Sequence, residues 1–157
     1  MHERVYCDAQ NLAYEYSWYN FRERKFSFES LPLIINTGEI HYGIETFLIL
    51  PKHIFGKKWK NKCENEETVN EILQLRDSGK IIEVGNGKES DDKAVIDYAL
   101  KYGSYFITLD KNYNKFIELY NNNEQLAEFL ENKRIDVLFQ GKELIFKTMP
   151  FEKKEAS

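Results

Sequence analysis

Short apolar runs alternate with amphipathic segments along most of this chain, and this alternation restricts the folds open to it. Apolar residues at helical spacing predict helices over residues 65–77 and 91–102. Chains that alternate strands with helices typically form a parallel sheet covered by helices on both faces. We therefore predict a three-layer α/β/α (Rossmannoid) fold with a central, mainly parallel sheet. The predicted strands of this sheet are residues 5–7, 45–50, 80–84 and 105–109.

The remaining segments are less regular. Ser30 predicts the start of a short helix that runs to about Gly38, because serine is a good N-cap and proline suits the first turn that follows. Residues 11–24 are rich in aromatic side chains, and their structure is left open. A further helix is expected near Asn114. Towards the end of the chain, residues 126–130 are apolar, and residues 135–139 and 144–146 predict two strands joined by a turn.

Length and composition predict an ordinary single domain. We assign residues 1–150 of the 157 to this domain and residues 151–157 to a flexible tail. No segment approaches the roughly 18 apolar residues that would span a membrane. Cys7 and Cys63 form neither a disulfide framework nor a metal-binding pattern, so a reducing, cytoplasmic location is expected.

Aspartates fall where predicted strands end or helices begin. Asp8 ends the first strand, Asp91 and Asp92 open a helix, and Asp110 follows the fourth strand. In a parallel sheet these places share the edge at the carboxyl ends of the strands, where ligands usually bind. Carboxylates gathered there repel one another unless a cation neutralises them, and Mg²⁺ prefers oxygen ligands. The pattern therefore indicates a metal-dependent site that cleaves phosphodiester bonds.

Each of these acids also has a structural interpretation. Asp8 could cap the turn after its strand, and Asn11 could cap the next helix instead of contacting a ligand. Acids in the first turn of a helix stabilise its dipole. Adjacent helical side chains point about 100° apart, so only one of Asp91 and Asp92 should face the ion, and we favour Asp92. Asp97, deeper in the same helix, is expected at the surface.

Polar neighbours extend the predicted site. Asn114 lies four residues beyond Asp110 and could sit one helical turn away, beside Lys111. Residues 52–62 carry five lysines and no acid, although the net charge of the chain is −4. Such a basic loop beside an acidic metal site suits a contact with a nucleic-acid backbone; the alternative is a solvated lysine-rich loop. We assign the contacts with the nucleic-acid backbone to Lys52, Lys57, Lys58, Lys60, Lys88 and Lys111.

Other classes of site fit less well. No glycine-rich phosphate loop follows the first strand, which argues against Rossmann and P-loop nucleotide sites. The three histidines are scattered, so zinc and histidine-based ribonuclease sites are not supported. In a receiver domain the acidic pair would follow the first strand rather than open a middle helix.

These motifs resemble, in their order, the PIN-like nuclease superfamily, and within it the NYN branch typified by Regnase-type (CCCH zinc-finger) endoribonucleases. The family's Asp-Gly-x-Asn motif is matched by residues 8–11, with Ala9 in place of glycine. Its second strand ends in a proline before a basic loop, as residues 47–51 do. Its Asp-Asp helix start is matched by Asp91 and Asp92, and its fourth-strand motif by residues 108–110, with Asn114 where the family has another acid.

The resemblance implies an endoribonuclease that uses Mg²⁺ or Mn²⁺ on single-stranded RNA or RNA loops. Asp8, Asp92 and Asp110 would hold the cation, with Asp91, Asn11 and Asn114 completing the site. Trp59 could stack on a base. Two alternatives stay open: a catalytically silent module that binds RNA or a protein, and a nuclease acting on DNA. The aromatic residues from Tyr14 to Phe28 could form a homodimer surface or pack in the core.

Overall fold

A parallel sheet of four strands forms the centre of the molecule. The structure, a computed structural model, describes residues 3–85, 90–109 and 124–147, with the backbone alone at 90–92. The strands lie in the order β3-β2-β1-β4, and every neighbouring pair is parallel. The predicted parallel sheet is therefore confirmed. Its strands are β1 (Arg4–Asp8), β2 (Glu45–Pro51), β3 (Ile81–Val84) and β4 (Tyr105–Ile107).

Helices connect the strands in the predicted alternation. A π-helical turn (Thr37–His41) extends the second helix, and 3-10 turns (Lys52–Phe55 and Trp59–Lys62) follow β2. An antiparallel hairpin, β5 (Val137–Gln140) and β6 (Glu143–Phe146), lies late in the chain, as expected. The helices are α1 (Ala9–Phe21), α2 (Ser30–Asn36), α3 (Glu66–Asp77), α4 (Ser90–Tyr102) and α5 (Glu124–Lys133).

Hydrophobic side chains bury both faces of the sheet. Because successive residues of a strand point to opposite faces, Cys7 belongs to one apolar cluster and Tyr6 to the other. The first cluster joins the sheet to α1, α2, α3 and the hairpin, and the second joins it to α4 and α5. The domain thus has three layers. Representative members of the first cluster are Leu12, Leu31, Ile34 and Ile72, and of the second Val95, Ile96, Leu126 and Leu130.

Local sequence signals account for several helix boundaries. The Asn65 side chain accepts a hydrogen bond of 2.8 Å from the Thr68 amide and so caps α3. Helix α1, whose structure the sequence left open, carries apolar residues around much of its circumference. Leu12 and Tyr16 are buried, whereas Trp18 is partly exposed. Helix α1 ends at Phe21, and the residue that follows it, Arg22, takes the left-handed conformation (φ 55°) common at helix C-termini.

The strand order fixes where a ligand crevice should lie. The chain moves from β1 through β2 to β3 on one side, then crosses back to place β4 on the other side of β1. In open α/β sheets such a reversal opens a crevice at the carboxyl ends of the strands. Here the crevice lies between β1 and β4. No helix of the described residues is long and apolar enough to cross a membrane.

Candidate active site

Asp8 lies at the crevice between β1 and β4. It is the last residue of β1 and pairs in register with Ile49 of β2, while its neighbour Cys7 pairs with Ile107 of β4. The residue is completely buried. Burying a carboxylate costs free energy unless hydrogen bonds or a cation compensate it. A buried acid at this edge of the sheet is therefore a strong candidate for a functional group.

Asn11 holds this carboxylate from the first turn of α1. Its Nδ2 donates a hydrogen bond of 2.7 Å to Oδ2 of Asp8. The Asp8 side chain makes no capping bond to the helix that follows it, so its oxygens are not occupied as a conventional N-cap. Asn11 is itself exposed. The pair therefore connects a buried charge to the solvent-facing side of the crevice.

Cys7, next to Asp8, is not a candidate nucleophile. Burial raises the pKa of its thiol, and the neighbouring Asp8 carboxylate raises that pKa further. Because the thiolate is the reactive form, this thiol stays inert at neutral pH. Cys7 is a free thiol, fully buried in the core.

Helix α4 brings two predicted acids to the same edge. Strand β3 ends at Val84, and α4 then packs across β1 and β2. Asp91 and Asp92 lie in its first turn, at the end nearest the carboxyl ends of the strands; their side chains lie outside the described part. Further along, Asp97 forms an exposed ion pair of 2.8 Å with Lys93, which fits its expected place at the surface.

The segment after β4 is held by Arg134, which the sequence analysis did not single out. Its Nη2 donates a hydrogen bond of 2.9 Å to the Thr108 carbonyl, and its Nε lies 3.1 Å from Asp136. The next residue, Ile135, donates its backbone amide to Phe106 of β4. Arg134 thus fixes the backbone two residues before Asp110. The predicted site residues Asp110, Asn114, Lys111 and Lys88 lie outside the described residues.

The basic loop keeps its lysines in solvent but buries its tryptophan. Lys52 directly follows β2, so the loop begins at the same edge of the sheet as Asp8. Trp59 is only 6% exposed, and its ring contacts those of Phe28 and Phe55. We therefore correct the prediction that Trp59 stacks on a base: it anchors the loop to the core. The exposed lysines of the loop are Lys52, Lys57, Lys58, Lys60 and Lys62.

Carboxylate oxygens suit a hard divalent cation such as Mg²⁺ or Mn²⁺, and Asp8 supplies such a group at this edge. The Asp8 carboxylate is the donor whose position is described, and the Asn11 amide orients it. Side chains in residues 3–85, 93–109 and 124–147 contain no group of three or more His, Cys, Asp or Glu close enough to bind a metal. The other predicted ligands, Asp92 and Asp110, fall outside those ranges.

Solved structures share this fold. The nuclear protein-only RNase P 2 (PRORP2) of Arabidopsis thaliana matches over 94% of this chain, with 16% identity and a TM-score of 0.64. A second structure of that protein matches over 97%, with 18% identity and a TM-score of 0.63. The likeness shows the fold. The predicted three-layer α/β/α class with a central parallel sheet is thereby confirmed, while membership in the PIN-like superfamily and its Regnase-type branch stays a prediction.

The match is partial in two respects. This chain covers 30% and 31% of the two RNase P chains, so it spans less than a third of their length. No protein-family model and no curated protein sequence matches it.

Proposed function

We propose that this domain is a metal-dependent endoribonuclease that cleaves single-stranded RNA or RNA loops. The observation that carries the proposal is the fully buried Asp8 carboxylate at the strand-order reversal, hydrogen-bonded by Asn11. The motif order of the PIN-like nucleases and the RNase P name of the structural neighbours support RNA cleavage. A cytoplasmic location belongs to the same proposal.

The protein groups have separate roles in this mechanism. Asp8 would hold a divalent cation together with Asp92 and Asp110, and Asn11 would keep the Asp8 carboxylate turned towards it. A bound cation of this kind lowers the pKa of a coordinated water and stabilises charge on a phosphate. Asp91 and Asn114 would orient water molecules or complete the ligand shell. The apolar clusters on both faces of the sheet hold β1 and α1, the elements that carry Asp8 and Asn11.

The exposed lysines after β2 supply the contact with the RNA backbone. Lys52, Lys57, Lys58 and Lys60 all reach solvent in a loop that begins at the same edge of the sheet as Asp8. Phosphate contacts of this kind position a nucleic acid without reading its sequence. Lys88 and Lys111 belong to the same proposed set.

A second candidate is a catalytically silent module that binds RNA or a protein partner. Asn114 favours it, because this residue stands where the resembled family has a fourth acid. One carboxylate fewer weakens the attraction of the site for a cation. The two candidates differ in whether RNA is cut or only bound.

Cleavage of a 5′-fluorescent single-stranded RNA in Mg²⁺, Mn²⁺ or EDTA tests the proposal. Asp8→Asn keeps the size of the side chain and removes its charge, and Asp97→Asn is the matched control on an exposed acid. We expect cleavage by the wild type and Asp97→Asn in metal, none in EDTA, and a loss of at least about 100-fold in Asp8→Asn. RNA binding without cleavage in every metal would instead establish the silent module. Cleavage that persists in a folded Asp8→Asn variant would contradict the proposed site.

A further inference from the structure

An open pocket of about 760 Å³ lies along α1, next to the candidate site. One end is formed by Asn11, the residue that holds Asp8, and by Leu109, the residue before Asp110. The other end is formed by aromatic and basic side chains further along the helix and just beyond it. The pocket is lined by Asn11, Tyr14, Glu15, Trp18, Tyr19, Arg24 and Leu109.

Helical geometry makes this pocket a track that leads away from Asp8. Asn11, Tyr14 and Trp18 are spaced three and four residues apart, so they follow one face of α1. At a rise of 1.5 Å per residue, Trp18 lies about 10 Å along the helix axis from Asn11. An RNA strand with one phosphate at Asp8 would therefore reach Trp18 within a few nucleotides.

The aromatic rings of this track are exposed. Tyr14, Trp18 and Tyr19 are 38%, 39% and 49% exposed. Hydrophobic rings gathered on a surface next to a site usually mark a binding surface. Bases of single-stranded nucleic acid stack on such rings, with little dependence on sequence, because every base has a π face.

Two arginines lie beside the Trp18 ring. The guanidinium carbon of Arg24 lies 5.4 Å from the centre of the Trp18 ring, and that of Arg22 lies 5.7 Å from it. Both arginines are exposed. Guanidinium groups bind phosphate through paired hydrogen bonds and also stack on bases. A tryptophan beside two arginines therefore offers a place for a base and for its phosphate.

Charge and position favour RNA over a second protein chain at this pocket. Residues 20–25 hold Arg22, Arg24 and Lys25 against one acid, Glu23, in a chain whose net charge is −4. The central part of a protein interface is depleted of glutamate, whereas Glu15 lines this pocket. The pocket is also continuous with the site at Asn11.

We propose that this face of α1 is the binding track for the single-stranded RNA that flanks the cleaved bond. Tyr14, Trp18 and Tyr19 stack on successive bases, and Arg22 and Arg24 contact the backbone. The inference rests on the proposed nuclease function and deepens it, because it assigns the substrate-binding surface of that site. It also gives a role to the exposed rings of Tyr14, Trp18 and Tyr19, which core packing does not explain.

Binding of a fluorescent 12-nucleotide oligouridine in EDTA, where no cleavage is expected, tests the track by itself. We expect Trp18→Ala to weaken binding between about 5-fold and 100-fold, and Trp18→Phe to restore most of it. Arg24→Gln should weaken binding and make it less sensitive to salt. The matched control is Tyr102→Ala, which removes an exposed ring (47%) that also lies beside an arginine, Arg4, at the opposite edge of the sheet.

Tryptophan fluorescence gives an independent readout. The chain has two tryptophans, of which Trp59 is buried and Trp18 is exposed in the pocket. Stacking of a base on Trp18 should quench the emission of the wild type and of Trp59→Phe. The quenching should vanish in Trp18→Phe, although this variant still binds RNA.

The outcomes separate the track from the nuclease. RNA binding that needs Trp18, without cleavage in any metal, would support the track while contradicting the nuclease proposal. Cleavage and binding that are both unchanged in a folded Trp18→Ala would overturn the track and leave the nuclease intact. A dimer that dissociates in Trp18→Ala, with RNA binding unaffected, would assign this face to self-association and also overturn the track.

Discussion

The Asn11 side-chain amide donates a 2.7 Å hydrogen bond to Oδ2 of Asp8, joining the first turn of α1 to the end of β1. Asp8 is buried whereas Asn11 is exposed, so the bond spans the boundary between the core and the crevice. Hydrogen bonds to a charged group are stronger than those between neutral groups. This one orients the carboxylate without neutralising it, as a metal ligand requires.

Removing this bond should impair both stability and metal binding. We expect Asn11→Ala to lower the free energy of unfolding by about 1.5–3 kcal/mol, because a buried carboxylate loses a donor. The rise in melting temperature on adding Mn²⁺ should shrink as well. Differential scanning fluorimetry across a Mn²⁺ titration measures both effects.

Asn20→Ala is the matched control for Asn11→Ala. Asn20 lies on the same helix and donates hydrogen bonds to the Tyr16 and Gly141 carbonyls, away from Asp8. Asn20→Ala should lower the free energy of unfolding but keep the full rise in melting temperature on adding Mn²⁺. If both variants lost this rise in melting temperature equally, Asn11 would have no specific role in metal binding.

The adjacent acids of α4 should differ in importance. Because neighbouring helical side chains point about 100° apart, we expect Asp92→Asn to lose at least about 100-fold in metal-dependent cleavage and Asp91→Asn to lose less. Asp97→Asn, on the same helix in an exposed ion pair, should cleave as the wild type does. Initial rates over a Mg²⁺ titration distinguish them. A larger loss in Asp91→Asn would exchange the two assignments.

Arg134 should act as a positioning residue for the segment after β4. Arg134→Ala removes the hydrogen bond to the Thr108 carbonyl, so the backbone before Asp110 loses an anchor. We expect a higher Mg²⁺ concentration for half-maximal cleavage and a lower kcat, with KM for RNA little changed. Asp136→Asn weakens only the ion pair and should behave nearly as the wild type. A lower melting temperature with an unchanged Mg²⁺ dependence would reduce Arg134 to a structural role.

The sequence predicted the parts of the fold that depend on local patterns. Apolar runs identified the four parallel strands, and Asn65 and Ser30 marked helix starts within one residue, although Ser30 is the first residue of α2 and not its N-cap. Asp8 could be placed at the crevice because the end of a strand is visible in a sequence. These features depend on residues close together in the chain.

Other features depend on contacts between distant residues. The pattern of α1 hid its helix, because its aromatic rings are partly buried and partly exposed. Trp59 looked available to RNA until Phe28 and Phe55 were seen to cover it. The contact of Arg134 with the Thr108 carbonyl spans 26 residues, so no local pattern indicates it.

The thiols of Cys7 and Cys63 should react slowly in the folded protein, so the proposed site does not depend on cysteine chemistry. Burial raises the pKa of Cys63 to about 11, with a smaller contribution from Glu64, and burial also raises the pKa of Cys7. At pH 8 the thiolate fraction of Cys63 should therefore be roughly 200-fold below that of a free cysteine. Its alkylation rate should rise about tenfold per pH unit towards pH 11, because only the thiolate reacts.

Iodoacetamide labelling followed by mass spectrometry, from pH 7 to pH 10, measures this dependence. Cys7 should stay unlabelled throughout, since it is fully buried, and both thiols should react quickly in guanidinium chloride. Protein labelled at Cys63 should retain metal-dependent cleavage, because neither thiol belongs to the proposed mechanism. Rapid labelling of Cys7 at pH 7 would contradict its burial beside Asp8, and with it the geometry on which the proposed site depends.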